Sequence, residues 1–113
     1  AAEGPPGLTL EEGLALQQDL IHGFEAEAFQ DRLKDLLRSR AAGEINERKL
    51  HVERTKLFLS VQKEVLPKFG FHGSQKGVFD MMNVFQKNNF DASEEFGKNG
   101  WWLNCLLYPT DEE

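Results

Sequence analysis

Apolar residues recur at helical spacing along most of the chain, which predicts a protein built of α-helices. "TLEE" at 9–12 matches a capping box with Thr9 as the N-cap, and the apolar stripe that follows ends near Phe24. A second amphipathic segment covers about 26–41 and stops before Gly43, a residue type that commonly ends helices. These patterns predict two helices in succession. A continuous helix through "AAGE" is the alternative at the second boundary.

The third segment, about 44–68, is apolar on two sides. One stripe consists of Leu50, Leu57, Phe58, Val61 and Val65. The second stripe, almost opposite, consists of Ile45, Val52, Leu59 and Leu66. A helix that is apolar on two sides must be covered on two sides. We therefore expect a long central helix here, ending or kinking near Pro67, because proline does not fit a helix interior.

Two further helices are predicted in the last third of the chain. Ser74 is the candidate N-cap of a helix over about 75–88. Its inward face is predicted to consist of Val78, Met81, Met82, Val84 and Phe85. Asp91 or Ser93 caps a fifth helix that runs to about Leu107. No segment alternates with period two over a strand length, so the fold class is all-α, a compact bundle of about five helices around the central long one.

The helical segments define a simple domain organisation. Residues 1–8, which begin "AAEGPPG", are predicted to be an extended lead-in. Residues 9–109 form a single helical domain, and 110–113 are an acidic tail. A chain of 113 residues is long enough for one such domain to bury a core.

The stretch "LPKFGFHGSQKG" (66–77) combines a proline with three glycines. It matches neither G-x-x-x-x-G-K-[ST] nor a G-x-G-x-x-G that follows a strand. The helix N-terminus after Ser74 offers free amide groups to an anion, but we interpret the stretch as a tight corner between two helices. The residues assigned to this structural corner are Phe69, Gly70, Phe71, Gly73 and Gly77.

Charge and composition exclude several classes of function. The net charge of −6 argues against nucleic acid or an anionic membrane as the main partner, because both require a basic surface. No apolar run approaches the roughly 20 residues that span a bilayer. The three histidines and the lone Cys105 lack the spacing of a metal site, and Cys105 lies in apolar surroundings that favour an inert thiol. We therefore expect no enzyme activity, no cofactor and no metal.

The cysteine content also bears on the compartment. A single cysteine rules out an internal disulfide and fits a reducing environment. We expect an intracellular, cytoplasmic protein. Because the chain does not begin with Met, removal of an organelle-targeting segment is the alternative.

The aromatic C-terminal segment "WWLNCLLYP" is the candidate interaction surface. On a helical wheel, Trp101 and Tyr108 project away from the apolar stripe that contains Trp102. Exposed tryptophan and tyrosine are typical of interface anchors. The alternative is that Trp101 lies flat along the bundle. The candidate partner-binding residues are Trp101, Trp102, Tyr108 and Pro109.

A longer pattern resembles a known family. "VQKEVLPKFGFHGSQKGVFDMMNVFQKNN", followed after a spacer by "LLYP", resembles the small eukaryotic family called protein C ten. The matching features are Gln62, Glu64, Val65, Phe69, Gly70, Phe71, Gly77 and Leu106 to Pro109. The resemblance covers most of 10–109; Pro67 and the adjacent Trp101 and Trp102 depart from it. It implies a small, intracellular, helical protein with no established enzymatic site and no catalytic residues.

The leading hypothesis is a non-enzymatic protein-interaction module, a small helical adaptor or assembly subunit. Its partner is another protein or a larger assembly. One alternative is an accessory subunit of an organellar complex, formed after removal of a transit peptide. The other is a carrier of a small apolar ligand. Its pocket would be lined by Phe58, Phe69, Phe71, Met82 and Phe85.

Overall fold

The computed structural model describes residues 8–108, which form five α-helices and contain no β-strand. Short 3₁₀ turns at Leu66–Phe69 and Phe90–Ala92 precede and follow the fourth helix. The helices are α1 (Leu10–Glu25), α2 (Glu27–Ala41), α3 (Glu47–Val65), α4 (Gln75–Lys87) and α5 (Glu94–Leu107). The predicted all-α bundle of five helices is confirmed.

Polar side chains at the helix starts explain most of these boundaries. The Thr9 hydroxyl accepts from the Glu12 N–H at 3.1 Å, and the Glu12 carboxylate accepts from the Thr9 N–H at 2.9 Å, which confirms the capping box. Ser93, one of the two predicted caps, accepts from the first turn of α5. Asn46 caps α3 by accepting from the Lys49 N–H at 2.8 Å, so α3 begins three residues later than the sequence predicts.

The connection between α2 and α3 is a tight turn. α2 ends at Ala41, and Gly43 adopts a φ of 78°, which favours glycine. The chain therefore reverses here and does not continue as one helix through "AAGE". Arg40 and Glu47, one on each side of the turn, lie 3.4 Å apart as an exposed ion pair.

α3 is the longest helix, with 19 residues, and it packs on both α1 and α2. Its first predicted stripe contributes three buried residues, Leu50, Leu57 and Val65. Its second stripe is covered only in part, since Leu59 packs against the core while Val52 is 42% exposed. α3 therefore runs beside the core without being enclosed.

The most enclosed helix is α1. It contacts α2, α3 and α5. Its buried residues are Gly13, Leu16, Gln17, Leu20, Ile21 and Phe24. α3 comes so close at Gly23 that a Cβ there would overlap the side chain of Val61. The wide stripe of α1 thus forms the hub of the bundle.

Two glutamines tie helices together through the bundle. Gln17 is buried in α1, where its Nε2 donates to the Phe96 carbonyl at 3.2 Å and its Oε1 accepts from Asn99 at 3.1 Å. Gln30, at the start of α2, donates from Nε2 to the carbonyl oxygens of Phe24 (2.7 Å) and Leu106 (3.2 Å). Because last-turn carbonyls lack an intrahelical donor, Gln30 satisfies the ends of both α1 and α5.

Candidate functional site

The glycine-containing corner at 66–77 is built from backbone contacts. Pro67 lies at the start of the 3₁₀ turn, where its missing N–H costs nothing. Gly70 ends that turn with a φ of 91°. The Phe71 N–H then donates to the Leu66 carbonyl at 3.1 Å, and the Phe71 side chain is buried, whereas that of Phe69 packs partly buried against the core.

Gly73 and Gly77 bring the corner close to its neighbours. A Cβ at Gly73 would lie 3.0 Å from the Lys63 carbonyl oxygen, and one at Gly77 would overlap the carbonyl of His72. The Ser74 hydroxyl lies 2.7 Å from His72 Nδ1, and its side chain makes no capping hydrogen bond to α4. Gly73 and Gly77 therefore allow the backbone to pack closely, and the His72 and Ser74 side chains form a hydrogen bond with each other.

Of the four predicted partner-binding residues, Trp101, Trp102 and Tyr108 lie within the described residues. Trp101 is 66% exposed, and its ring lies 6.1 Å from that of Trp102. The Trp102 side chain is 39% exposed, and its indole N–H donates to the Glu25 carboxylate of α1 at 3.0 Å. Tyr108 packs against α3, and Pro109 lies outside the described residues.

Tyr108 lines a groove between α3 and α4, with a volume of about 320 Å³. Its ring lies 5.7 Å from Phe58, edge to face, and the Arg54 guanidinium lies 5.0 Å above it. This α3–α4 groove is lined by His51, Arg54, Thr55, Phe58 and Gln62 of α3, Gln75, Val78 and Met82 of α4, and Leu107 and Tyr108.

The groove contains two of the five residues predicted for an apolar-ligand pocket. Phe58 and Met82 line it, whereas Phe71 is buried in the core. Phe85 packs against Phe96 with 4.8 Å between ring centroids. Phe69, Phe71 and Phe85 therefore do not line this groove.

The sequence interpretation missed the exposed part of α4. Met82 was expected to face inward, but it is 53% exposed at the groove. Phe79, three residues earlier and therefore on the same side of the helix, is also exposed. The signal was present: the apolar residues of α4 cover more of its circumference than one neighbouring helix can bury.

A second hollow, of about 370 Å³, lies between α2 and α3, and four of its eight lining residues are charged. Its Glu53 accepts a hydrogen bond from Lys49 and lies near Lys56, and these cations lower the pKa of the Glu53 carboxyl. Asp35, on the opposite wall, pairs with Arg38 at 2.9 Å. Glu53 and Asp35 are paired in this way, and none of the large exposed apolar side chains lines this hollow, so it is a weaker candidate for binding than the α3–α4 groove.

The described residues, 8–108, contain no group of three His, Cys, Asp or Glu side chains placed to hold a metal ion. Over the same range, no helix has the length and apolarity required to cross a membrane.

Comparison of the chain with protein-family models, curated proteins and solved structures finds no match. The resemblance to the protein C ten family therefore stays a prediction.

Proposed function

We propose that this protein is a non-enzymatic interaction module, a small helical adaptor or assembly subunit that binds another protein. The observation that supports this proposal is the distribution of exposed apolar side chains. Of the seven large ones that the described residues expose, five lie on α4 or at α5 and its C-cap. These five are Phe79, Met82, Trp101, Trp102 and Tyr108.

The type of side chain supports a protein partner. Tryptophan, tyrosine and phenylalanine bury a large area with only two rotatable side-chain bonds, and these aromatic residues and methionine are enriched at protein interfaces. Trp101 makes its aromatic contact with Trp102 on the surface, so its indole is available to a partner. In this proposal, a partner protein covers apolar side chains that the bundle leaves exposed.

Affinity capture with matched variants tests the proposal. Purified wild-type protein, Trp101→Ser, Met82→Glu and the control Leu10→Ser are immobilised and incubated with extract of cells that make the protein. Leu10 is also exposed, but it lies at the start of α1. We expect at least one protein that wild type and Leu10→Ser retain and that Trp101→Ser or Met82→Glu loses by roughly tenfold.

The control outcome is equally definite. All three substitutions are at exposed positions, so each changes the free energy of unfolding by about 0.5 kcal/mol or less, and circular dichroism checks that the fold is kept. If no captured protein distinguishes the control from the other two variants, the interaction module is ruled out.

A second candidate function is a carrier of a small apolar ligand. The α3–α4 groove supports it, since its volume of about 320 Å³ is at the lower end of the range of ligand pockets. Titration with a fluorescent apolar dye, with Met82→Glu as the control, tests this candidate. Saturable binding of one dye that Met82→Glu abolishes would favour the carrier.

A further inference from the structure

Most of the α3 residues that line the α3–α4 groove recur at helical spacing. His51, Arg54, Phe58 and Gln62 are separated by three, four and four residues, so they form one face of the helix. At 1.5 Å per residue this face is roughly 16 Å long, or about three helical turns. The groove is therefore elongated, and its length suits a helix of similar extent better than a compact ligand.

The apolar surface continues beyond the groove. Met82 and Tyr108, at its rim, are about half exposed, so an occupant would remain accessible from one side. Phe79 lies on the same side of α4, one turn from both Gln75 and Met82, which line the groove, and is 58% exposed. A small ligand held between the walls would leave Phe79 in water, whereas a helix lying along the groove would cover it.

The charge of the groove is opposite to that of the chain. The sequence contains 19 acidic residues, yet none of the ten lining residues is Asp or Glu. Arg54 is the lining residue with a permanent positive charge, and no carboxylate described in residues 8–90 and 92–108 forms a salt bridge with it. Its guanidinium is held over the Tyr108 ring, where it can donate to a partner's carboxylate.

From these observations we infer that the α3–α4 groove binds an amphipathic helix of a partner protein with a carboxylate beside its apolar stripe. Apolar side chains at positions i, i+3 or i+4, and i+7 contact Phe58, Met82 and Leu107, and an Asp or Glu pairs with Arg54. The walls are helix side chains with no strand edge, so an extended peptide has no backbone to pair with. This inference rests on the proposed interaction function and specifies the chemistry of the partner.

Selection from a displayed library of short helical peptides on the purified protein tests the inference. Enriched peptides are expected to combine helically spaced apolar residues with Asp or Glu. The best binder should lose affinity by roughly tenfold or more with Met82→Glu, and similarly with Arg54→Glu. Exchange of its acidic residue for lysine should restore binding to Arg54→Glu.

Lys34→Glu is the matched control, because it makes the same charge change at an exposed position of α2 outside the groove. Arg54→Gln repeats the test with a neutral side chain in case the reversed charge disturbs the fold. The inference fails if selected peptides lack acidic residues, if Lys34→Glu weakens binding as much as Arg54→Glu, or if an apolar dye binds the groove while no helix does. Loss of a cell-extract partner only in Trp101→Ser would leave the interaction function standing and refute the groove as its site.

Discussion

α1 and α4 are both amphipathic, but their apolar faces are covered differently. Neighbouring helices cover the apolar face of α1, and Val61 of α3 lies so close to Gly23 that a Cβ there would overlap it. α4 buries Val78, Met81 and Val84, while Phe79 and Met82 remain exposed. The first face stabilises the fold by removing apolar area from water. The second contributes less to folding, and its uncovered part is available for binding another molecule.

The largest expected difference in the free energy of unfolding is between alanine substitutions of two phenylalanines, Phe24 and Phe79. Phe24 in α1 is 1% exposed and its ring lies 5.0 Å from that of Phe29. Phe24→Ala should lower the free energy of unfolding by about 3–5 kcal/mol, because it leaves a cavity in the hub. Phe79→Ala should change it by about 0.5 kcal/mol or less. Urea denaturation followed by circular dichroism measures both, and equal losses would show that Phe79 is covered.

Two adjacent methionines test the same difference within α4. Met81 is 7% exposed, whereas Met82 is 53% exposed. We expect Met81→Ala to cost about 2–5 kcal/mol of stability and Met82→Ala about 0.5 kcal/mol or less. Thermal unfolding of the pair is sufficient to measure this. A large cost at Met82 would mean that the groove is closed when the protein is free.

Substitution of alanine for glycine is expected to change the stability of the protein in opposite directions at Gly77 and Gly97. A Cβ at Gly77 would overlap the His72 carbonyl, so Gly77→Ala should destabilise the protein by about 1–3 kcal/mol through forced displacement. Gly97, in α5, has nothing within 4 Å of the same added atom. Gly97→Ala should therefore stabilise by about 0.5–1 kcal/mol through helix propensity. Chemical denaturation of the two variants decides the matter; destabilisation by both would contradict the open surface at Gly97.

The smallest effect concerns the solvent edge of α3, where Glu53 hydrogen bonds to Lys49 and lies near Lys56. Its pKa is lowered in the folded protein, so its stabilising contribution is complete above the pKa of the unfolded chain. That contribution is lost as pH falls through the lowered pKa. Lys49→Met should raise the pKa of Glu53 more than Lys56→Met does, since the Lys49 hydrogen bond is the main cause.

An NMR titration of the Glu53 carboxyl measures these shifts. If neither substitution moved the Glu53 pKa, the two lysines would not be the cause of its lowering.

Local chemistry made the helices predictable. The Thr9 capping box and the Ser93 cap depend on residues three positions apart, so the sequence contains all the information they need. Asn46 is also a cap of this kind, and its side chain explains why α3 begins at Glu47 and not at 44.

Tertiary packing limited the rest. Periodicity indicates which side chains prefer cover, but it does not indicate which helix provides it. Val52 and Met82 both belong to apolar stripes in the sequence, yet the bundle leaves both exposed. The pairing of Tyr108 with Phe58 and Arg54 joins positions about 50 residues apart, and no local pattern predicts such a contact.

The shape of the α3–α4 groove depends in part on Gln30, a residue of α2 that does not line it. Its side-chain amide donates to the carbonyl oxygens of Phe24 in α1 and Leu106 in α5. Leu106 directly precedes Leu107 and Tyr108, which line the α3–α4 groove. An outward swing of the α5 terminus would break one of these bonds and leave a carbonyl without a donor. A side chain on α2 that lies outside the groove therefore helps to hold Leu107 and Tyr108, two of its lining residues, in position.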